Sequence, residues 1–180
     1  MYRQFTKKIQ VNLLLTSLIL FPFNAAHSAI ADLEQQIVIK AKRQASDLKN
    51  KIASYLDDVI ITQGSLSIHA DVVQVISQSN SDNKIYIARG KPAIFKQLLD
   101  DGQPINLKAN EIKYEPATHT ITISGNASVS QEGSLVSGNK IIYNLLTEQL
   151  TAESNTDDTV TTILQPQNKL KNKLPEQENN

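Results

Sequence analysis

Few side chains in this sequence have the types and spacing that catalysis or metal binding requires. The chain has no Cys and three His, which excludes disulfides, thiolate metal sites and Cys nucleophiles. His69 occupies a polar position of an alternating segment, and His119 lies among turn-forming residues. Neither has a second His or a pair of carboxylates at ligand spacing. We therefore predict two solvent-exposed imidazoles, no metal site and no cofactor.

The carboxylates give no better support for an enzyme. Asp57 and Asp58 are adjacent, as are Asp157 and Asp158; neighbours on a strand point to opposite faces and make a poor acid and base couple. No nucleophile elbow, P-loop, dinucleotide-binding or H-E-x-x-H motif occurs. The 18 basic and 18 acidic residues balance, which argues against nucleic-acid binding. The sequence predicts a protein that is not an enzyme.

The N-terminal residues have the three parts of a secretory signal peptide. A basic stretch with Arg3, Lys7 and Lys8 precedes the apolar run 11–23, and small residues follow it. The triplets Ala26-His27-Ser28 and Ala29-Ile30-Ala31 both offer a cleavage site. A retained anchor is the alternative, but the run is shorter than the ~20 residues that span a bilayer. We predict a cleaved signal peptide over residues 1–31 and an exported, mildly acidic chain.

Alternating apolar and polar residues dominate the chain from residue 59 to residue 163. In one example Leu66, Ile68 and Ala70 alternate with polar neighbours, and Ile121 and Ile123 do so in another. This period of two predicts strands with one buried and one solvated face. Polar turn segments separate them, which favours an all-β sandwich, roll or barrel over residues 32–165. Residues 166–180 are polar and predict a disordered tail.

The parity of the apolar positions switches at three equivalent places. The switch falls at the pairs Ala70-Asp71, Ala109-Asn110 and Gly138-Asn139, each between two apolar segments. A strand changes face in this way only at a bulge or corner. We therefore predict that the sheet bends at these three pairs. Residues 40–55 are the exception, because Ala41, Ala45, Leu48, Ile52 and Tyr55 have near-helical spacing, so that this segment is either a helix or a strand.

The inward face of the predicted sheet is apolar. Its candidate residues are Ile37, Ile39, Val59, Ile61, Leu66, Ile68, Val73, Val75, Ile85, Ile87, Phe95, Ile105, Leu107, Ile112, Tyr114, Ile121, Ile123, Val129, Ile141 and Tyr143. They form either an ordinary core or, if the two sides of a folded sheet do not fully meet, an apolar trough. The ligand that matches such a trough is an alkyl chain, because each buried methylene contributes about 0.8 kcal/mol.

Several longer motifs resemble one known family. They are residues 90–97 (GKPAIFKQ), 101–104 (DGQP), 109–115 (ANEIKYE), 124–127 (SGNA), 138–143 (GNKIIY) and 160–164 (VTTIL). Together they resemble the OstA-like family of periplasmic lipopolysaccharide-transport proteins, over about residues 37–166. The resemblance implies a twisted antiparallel β-jellyroll, open at both ends, that shields lipid A acyl chains. It also implies lipid contacts at Ile37, Ile39, Phe95 and Tyr114. From the inward set given by the alternation, the rest of the predicted interior lining is Ile61, Ile68, Val73, Leu107, Ile112, Ile123, Val129 and Tyr143.

The same resemblance implies partners at the two ends of the sheet. An inner-membrane LptC-like partner would dock at the N-terminal edge, at Ile37, Val38 and Ile39. An outer-membrane LptD-like translocon would dock at the C-terminal edge, at Val160, Thr162 and Ile163. Copies of the chain would stack head to tail into a periplasmic bridge between the membranes, since unpaired edge strands accept further strands. A soluble chaperone for another lipid or apolar client, or a purely structural repeat protein, remains an alternative.

Overall fold

The computed structural model describes residues 29–78 and 81–165. Residues 1–28 of the predicted signal peptide and the whole predicted tail, 166–180, lie outside this part of the chain. One helix, α1 (Ala29–Leu33), precedes the strands β1 (Val38–Lys40), β2 (Arg43–Asp47), β3 (Ile52–Gln63), β4 (Leu66–Ser77), β5 (Lys84–Leu98), β6 (Pro104–Glu115), β7 (Thr120–Gln131), β8 (Ser134–Asn144), β9 (Leu150–Glu153) and β10 (Thr161–Ile163). A 3₁₀ turn, Pro116–Thr118, joins β6 to β7.

The strands form one 10-stranded sheet in which each pair is antiparallel. Strands β3 to β8 follow one another as hairpins, with β1 and β2 both paired to β3 and β9 and β10 both paired to β8. Within the described residues β1 and β10 do not pair with each other, so the sheet does not close into a barrel. This confirms the predicted all-β, open architecture.

A line of register shifts crosses the sheet and divides each long strand into two halves. The shifts lie beside Ala70-Asp71, Ala109-Asn110 and Gly138-Asn139, which confirms the three predicted bends. Intervening strands bend at the same level through residues that the parity argument did not identify. Both Asp57 and Asp58 of β3 have positive φ. In β7, Gly125 has φ 75°, and a Cβ there would come within 2.9 Å of the Asn110 amide nitrogen.

The bends fold the sheet so that its two halves face each other across one apolar core. The buried residues form a single cluster that includes positions from both halves of β4, β5, β6 and β7. Contacts between distant strand ends cross this core, such as the hydrogen bond from the Tyr114 hydroxyl of β6 to Gln63 of β3. The bulges therefore preserve one inward face on both halves, as a shift of parity at each bend requires.

The inward parity predicted for the first half of β5 is wrong. Tyr86 and Ala88 are buried there, whereas Ile85 and Ile87 lie on the outer face and are partly exposed. Both sets alternate, so the pattern alone does not distinguish Ile85 and Ile87 from Tyr86 and Ala88 as the inward set. The inward position of Tyr86 is decided by its register partners, Val75 and Tyr114, which are buried.

Of the two alternatives for residues 40–55, the helix is wrong and the strand is correct. This segment contains β2, a turn and the start of β3, and β2 lies antiparallel on β3 in a register that pairs Arg43 with Leu56. Leu48, which helical spacing placed on an apolar face, is 87% exposed in the turn. The free edge of β3 supplies backbone partners, and this tertiary pairing overrides the helical propensity of the segment.

Candidate functional site

The interior between the two halves of the sheet is the candidate site. Phe95 of β5 and Tyr114 of β6 have no exposed surface, and Ile37 and Ile39 on either side of Val38 are partly buried against the same cluster. The other predicted lining residues are all buried: Ile61, Ile68, Val73, Leu107, Ile112, Ile123, Val129 and Tyr143. The structure therefore places every one of these residues on a single continuous apolar surface.

Aromatic side chains form one row across this surface. Tyr86, Tyr114, Ile121 and Tyr143 are successive register partners on β5, β6, β7 and β8, and all four are buried. The rings of Tyr86 and Tyr114 have centroids 5.8 Å apart with planes tilted by 31°, a separation within the range of favourable aromatic pairs. Apart from its hydroxyl groups, this row offers a ligand only apolar contacts.

One hydrogen bond joins the two halves of the sheet across the interior. The Tyr114 hydroxyl donates to Oε1 of Gln63 at 2.6 Å. Burial, with a smaller effect of Tyr86, raises the pKa of the Tyr114 hydroxyl well above its usual value, so the group stays protonated and remains a donor. We call this contact the Gln63–Tyr114 bridge.

The amide of Gln63 extends the bridge to the N-terminal segment. Its Nε2 donates to the carbonyl oxygens of Leu33 at 2.8 Å and Gln35 at 3.1 Å. Gln63 is 4% exposed, so these bonds satisfy an amide that would otherwise be costly to bury. The path from α1 to β1 is therefore tied to the interior.

Asp32 of α1 docks on the tight turn between β3 and β4. Its carboxylate accepts hydrogen bonds from the Ser65 amide, at 2.8 Å, and from the Ser65 hydroxyl. Gly64 has φ 58°, and a Cβ at this position would lie 2.0 Å from Asp32 Oδ1. Only glycine meets both requirements without strain. Sequence reasoning missed Asp32 and Gln63; the signal available was the Gln63-Gly64-Ser65 turn, but its partner lies about thirty residues earlier.

Two cavities adjoin the interior. A cavity of about 300 Å³ adjoins the first half of β3 and the turn after β2, and its apolar lining is Leu48, Ile52, Ala53, Tyr55 and Val75. A second cavity, of about 330 Å³, has the apolar lining residues Ile105, Val129, Val136, Tyr143 and Leu150 and the polar lining residues Gln131, Glu132, Ser134 and Glu148. Both adjoin the core cluster, so an alkyl chain entering either one meets the buried surface.

Apolar residues are exposed at the two terminal strands. Val38 of β1 is 44% exposed. At the other end, Ile163 of β10 is 52% exposed and Val160, just before β10, is 41% exposed. Thr162, between Val160 and Ile163, is also exposed. In the part of the chain that the structure describes, β1 pairs only with β3 and β10 only with β8. Each terminal strand thus presents an unpaired backbone edge beside an exposed apolar side chain.

The histidines and paired aspartates considered in the sequence do not come together into one site. His69 is exposed, and His119 follows the 3₁₀ turn with φ 52°. Asp57 and Asp58 instead form ion pairs with Arg43 and Lys42 at the surface. Across residues 29–78 and 81–165, no three His, Cys, Asp or Glu residues are grouped so that they could hold a metal ion. No helix in these ranges is long and apolar enough to cross a membrane.

Comparison with known protein families places this chain in one of them. The family described as "LptA/(LptD N-terminal domain) LPS transport protein" matches residues 38–149. The chain belongs to this family. The match confirms the resemblance drawn from the sequence motifs and extends over β1 to β8, the strands that enclose the interior.

Named relatives of this LptA/LptD N-terminal family match most of the chain. The "Lipopolysaccharide export system protein LptA" of Escherichia coli K12 is 34% identical over 162 residues, which cover 89% of this chain and 88% of that protein. The protein of the same name from Haemophilus influenzae is 35% identical over 147 residues, covering 79% and 86%. These relatives are named as export proteins.

A solved structure of the family has the same fold. The crystal structure of LptH, described as the LptA-homologous periplasmic component of the lipopolysaccharide transport device of Pseudomonas aeruginosa, superposes with a TM-score of 0.68. It is 26% identical, and the match covers 76% of this chain and 99% of LptH. The jellyroll expected from the motifs is therefore the fold of this chain.

Proposed function

We propose that this chain is a periplasmic lipopolysaccharide-transport protein that shields the acyl chains of lipid A between the two halves of its sheet. The observation that carries the proposal is a continuous apolar interior, adjoined by two cavities, in a member of a lipopolysaccharide-transport family. Such an interior offers alkyl chains burial without a fixed orientation. That suits a cargo that must enter, travel and leave.

Binding an acyl chain requires the two halves of the sheet to separate. Phe95 and Tyr114 are fully buried, so a chain that contacts them must displace side-chain packing and the Gln63–Tyr114 bridge. Most of the displaced contacts are apolar and non-directional, and the acyl chain makes apolar contacts in their place. Burying about twelve methylenes contributes roughly 10 kcal/mol before the costs of ordering the lipid and parting the sheet.

We assign the lipid contacts to Ile37, Ile39, Phe95 and Tyr114. Ile37 and Ile39 lie at the N-terminal edge and are partly buried, and Phe95 and Tyr114 are neighbouring-strand residues deeper in the interior. Together they would give a path from the edge strand to the core. No bond is made or broken along this path, and we assign the protein no catalytic role.

The chain would reach the periplasm through cleavage of its N-terminal signal peptide, residues 1–31. Cleavage after Ser28 or after Ala31 leaves Asp32 in the mature chain, so the contacts of Asp32 with Ser65 support either site. The mature protein would span residues 32–165 as one jellyroll domain, with residues 166–180 as a tail.

The terminal strands would connect the protein to its neighbours. We assign the β1 edge, at Ile37, Val38 and Ile39, to an inner-membrane partner, and the β10 edge, at Val160, Thr162 and Ile163, to an outer-membrane translocon. The same two edges would join copies head to tail, because pairing β10 of one copy with β1 of the next continues the sheet. A contact of this type does not close, so it propagates as a rod between the membranes.

Displacement of a hydrophobic fluorescent dye by lipopolysaccharide tests the lipid site. We expect the parent protein to bind the dye and release it to lipopolysaccharide, and Phe95→Glu to lose both, because its carboxylate would face alkyl chains unpaired. The matched control is Lys96→Glu on the exposed face of the same strand. If Phe95→Glu does not fold, Ile39→Glu tests the same surface, with Val38→Glu as its control.

Two results would contradict the proposal. One is unchanged displacement by lipopolysaccharide in both interior variants. The other is displacement of the dye by a diacyl phospholipid as readily as by lipopolysaccharide in the parent protein, which would favour a general lipid chaperone.

A further inference from the structure

Two buried polar side chains of the interior have no hydrogen-bond partner among the described residues. Gln97 and Tyr143 are each 1% exposed. Among the described residues, nothing bonds to Nε2 or Oε1 of Gln97 or to the hydroxyl of Tyr143. Buried polar groups are usually satisfied, and leaving them unpaired costs free energy. Three unpaired atoms on these two interior side chains therefore call for a function.

Strand register relates this pair to the Gln63–Tyr114 bridge. Tyr114 and Tyr143 lie in one row, on β6 and on β8 two strands further along. Gln97 on β5 is likewise two strands beyond Gln63 on β3. Gln63 pairs with Leu66 of β4, and the pairing of Ser67 with Lys96 sets Leu66 level with Gln97. Gln97 and Tyr143 thus repeat the placement of Gln63 and Tyr114, but without the hydrogen bond.

The cavity of about 330 Å³ beside the pair has both apolar and polar walls. Tyr143 borders it together with the apolar residues Ile105, Val129, Val136 and Leu150, and the polar residues Gln131, Glu132, Ser134 and Glu148 complete the lining. Gln97 faces inward on β5 beside its register partner Ile105. An amide provides a donor and an acceptor, and a phenol can do both. The group that satisfies them is therefore an oxygen atom carried on an otherwise apolar chain.

We propose that Gln97 and Tyr143 form a polar subsite for a hydroxyl group on an acyl chain that occupies the interior. The hydroxyl accepts from the Tyr143 phenol and donates to Oε1 of Gln97, while the apolar cavity wall holds the methylenes on either side. The subsite rests on the proposed lipid-carrying function and adds a specificity to it: hydroxylated acyl chains are held here and plain ones pass. It also gives the interior two unequal polar pairs, one bridged and one free to bind.

Fatty-acid probes test the subsite directly. Binding of tetradecanoic acid and of its hydroxylated isomers, with the hydroxyl at different positions, is measured by dye displacement for the parent, Tyr143→Phe and Gln97→Leu. We expect the best isomer to bind the parent about thirtyfold more tightly than tetradecanoic acid, the value of two neutral hydrogen bonds. In each variant one of these bonds is lost, and the preference should fall to about fivefold or less. Tyr86→Phe, the same substitution in the same row, should keep the preference.

The ligand-free proteins provide a second readout. Because the variants remove unpaired buried groups, we expect Tyr143→Phe and Gln97→Leu to unfold at a temperature no lower than the parent's. Equal affinity of the parent for plain and hydroxylated acids, a preference that is undiminished in both variants, or a marked loss of stability in both would overturn the subsite and leave the proposed function standing. Failure of the parent to bind either acid or lipopolysaccharide would overturn both.

Discussion

At the scale of single residues, the Gln63–Tyr114 bridge joins the two halves of the sheet across the interior. Tyr114→Phe removes a hydrogen bond of 2.6 Å and leaves the Oε1 of a buried glutamine unpaired. We expect a loss of about 1–2 kcal/mol in the free energy of unfolding, measured by urea titration. Tyr86→Phe is the control, because its hydroxyl is not among the contacts of Gln63. Equal stability of Tyr114→Phe and the parent would mean that the bridge contributes nothing.

Sequence patterns predict apolar interior residues better than polar ones. Alternation alone places Ile61, Phe95 and Leu107 inward, where the structure buries them. It cannot place Gln63 or Asp32, because each is buried only through a partner distant in sequence, Tyr114 or Ser65. A polar residue at an inward parity looks like a break in the pattern until its partner is known.

At the scale of elements, α1 positions the N-terminal edge strand. Asp32→Ala removes two hydrogen bonds to Ser65 and leaves a part-buried amide unpaired, at a cost of about 1–3 kcal/mol. Because α1 leads directly into β1, we expect faster amide hydrogen exchange over Val38–Lys40 in this variant. Glu34→Ala changes an exposed carboxylate of the same segment and should leave exchange unchanged. Equal effects of the two substitutions would show that α1 does not hold β1.

The bends of the sheet show which elements a sequence predicts and which it does not. A small residue followed by Asp or Asn predicts the bends in β4, β6 and β8. Their neighbours bend because adjacent strands must follow, and they use other means, such as positive φ at Asp57 and Asp58 in β3. The same tertiary constraint turns residues 43–47 into an edge strand, although their spacing alone favours a helix.

At the scale of the whole molecule, the two terminal edges should control assembly. Ile163 is 52% exposed on β10, and lysine on an exposed edge strand opposes further pairing. We expect Ile163→Lys to abolish concentration-dependent rods in light scattering while dye displacement by lipopolysaccharide persists. Leu146→Lys is the control, since Leu146 is an exposed apolar residue in a turn and is not among the lining residues of either cavity. Rods that form as readily in Ile163→Lys as in the parent would place the stacking edge elsewhere.

The central claim is that lipid A acyl chains lie between the two halves of the sheet, and photocrosslinking tests it most directly. A photoreactive phenylalanine derivative is placed at Phe95, which is fully buried, and separately at Ile94, its neighbour on the outer face. Both proteins are irradiated with bound lipopolysaccharide after their folding is checked by circular dichroism. We expect a lipopolysaccharide adduct from position 95 and none from position 94. Adducts of equal yield at the two positions, or an adduct only at position 94, would contradict the account.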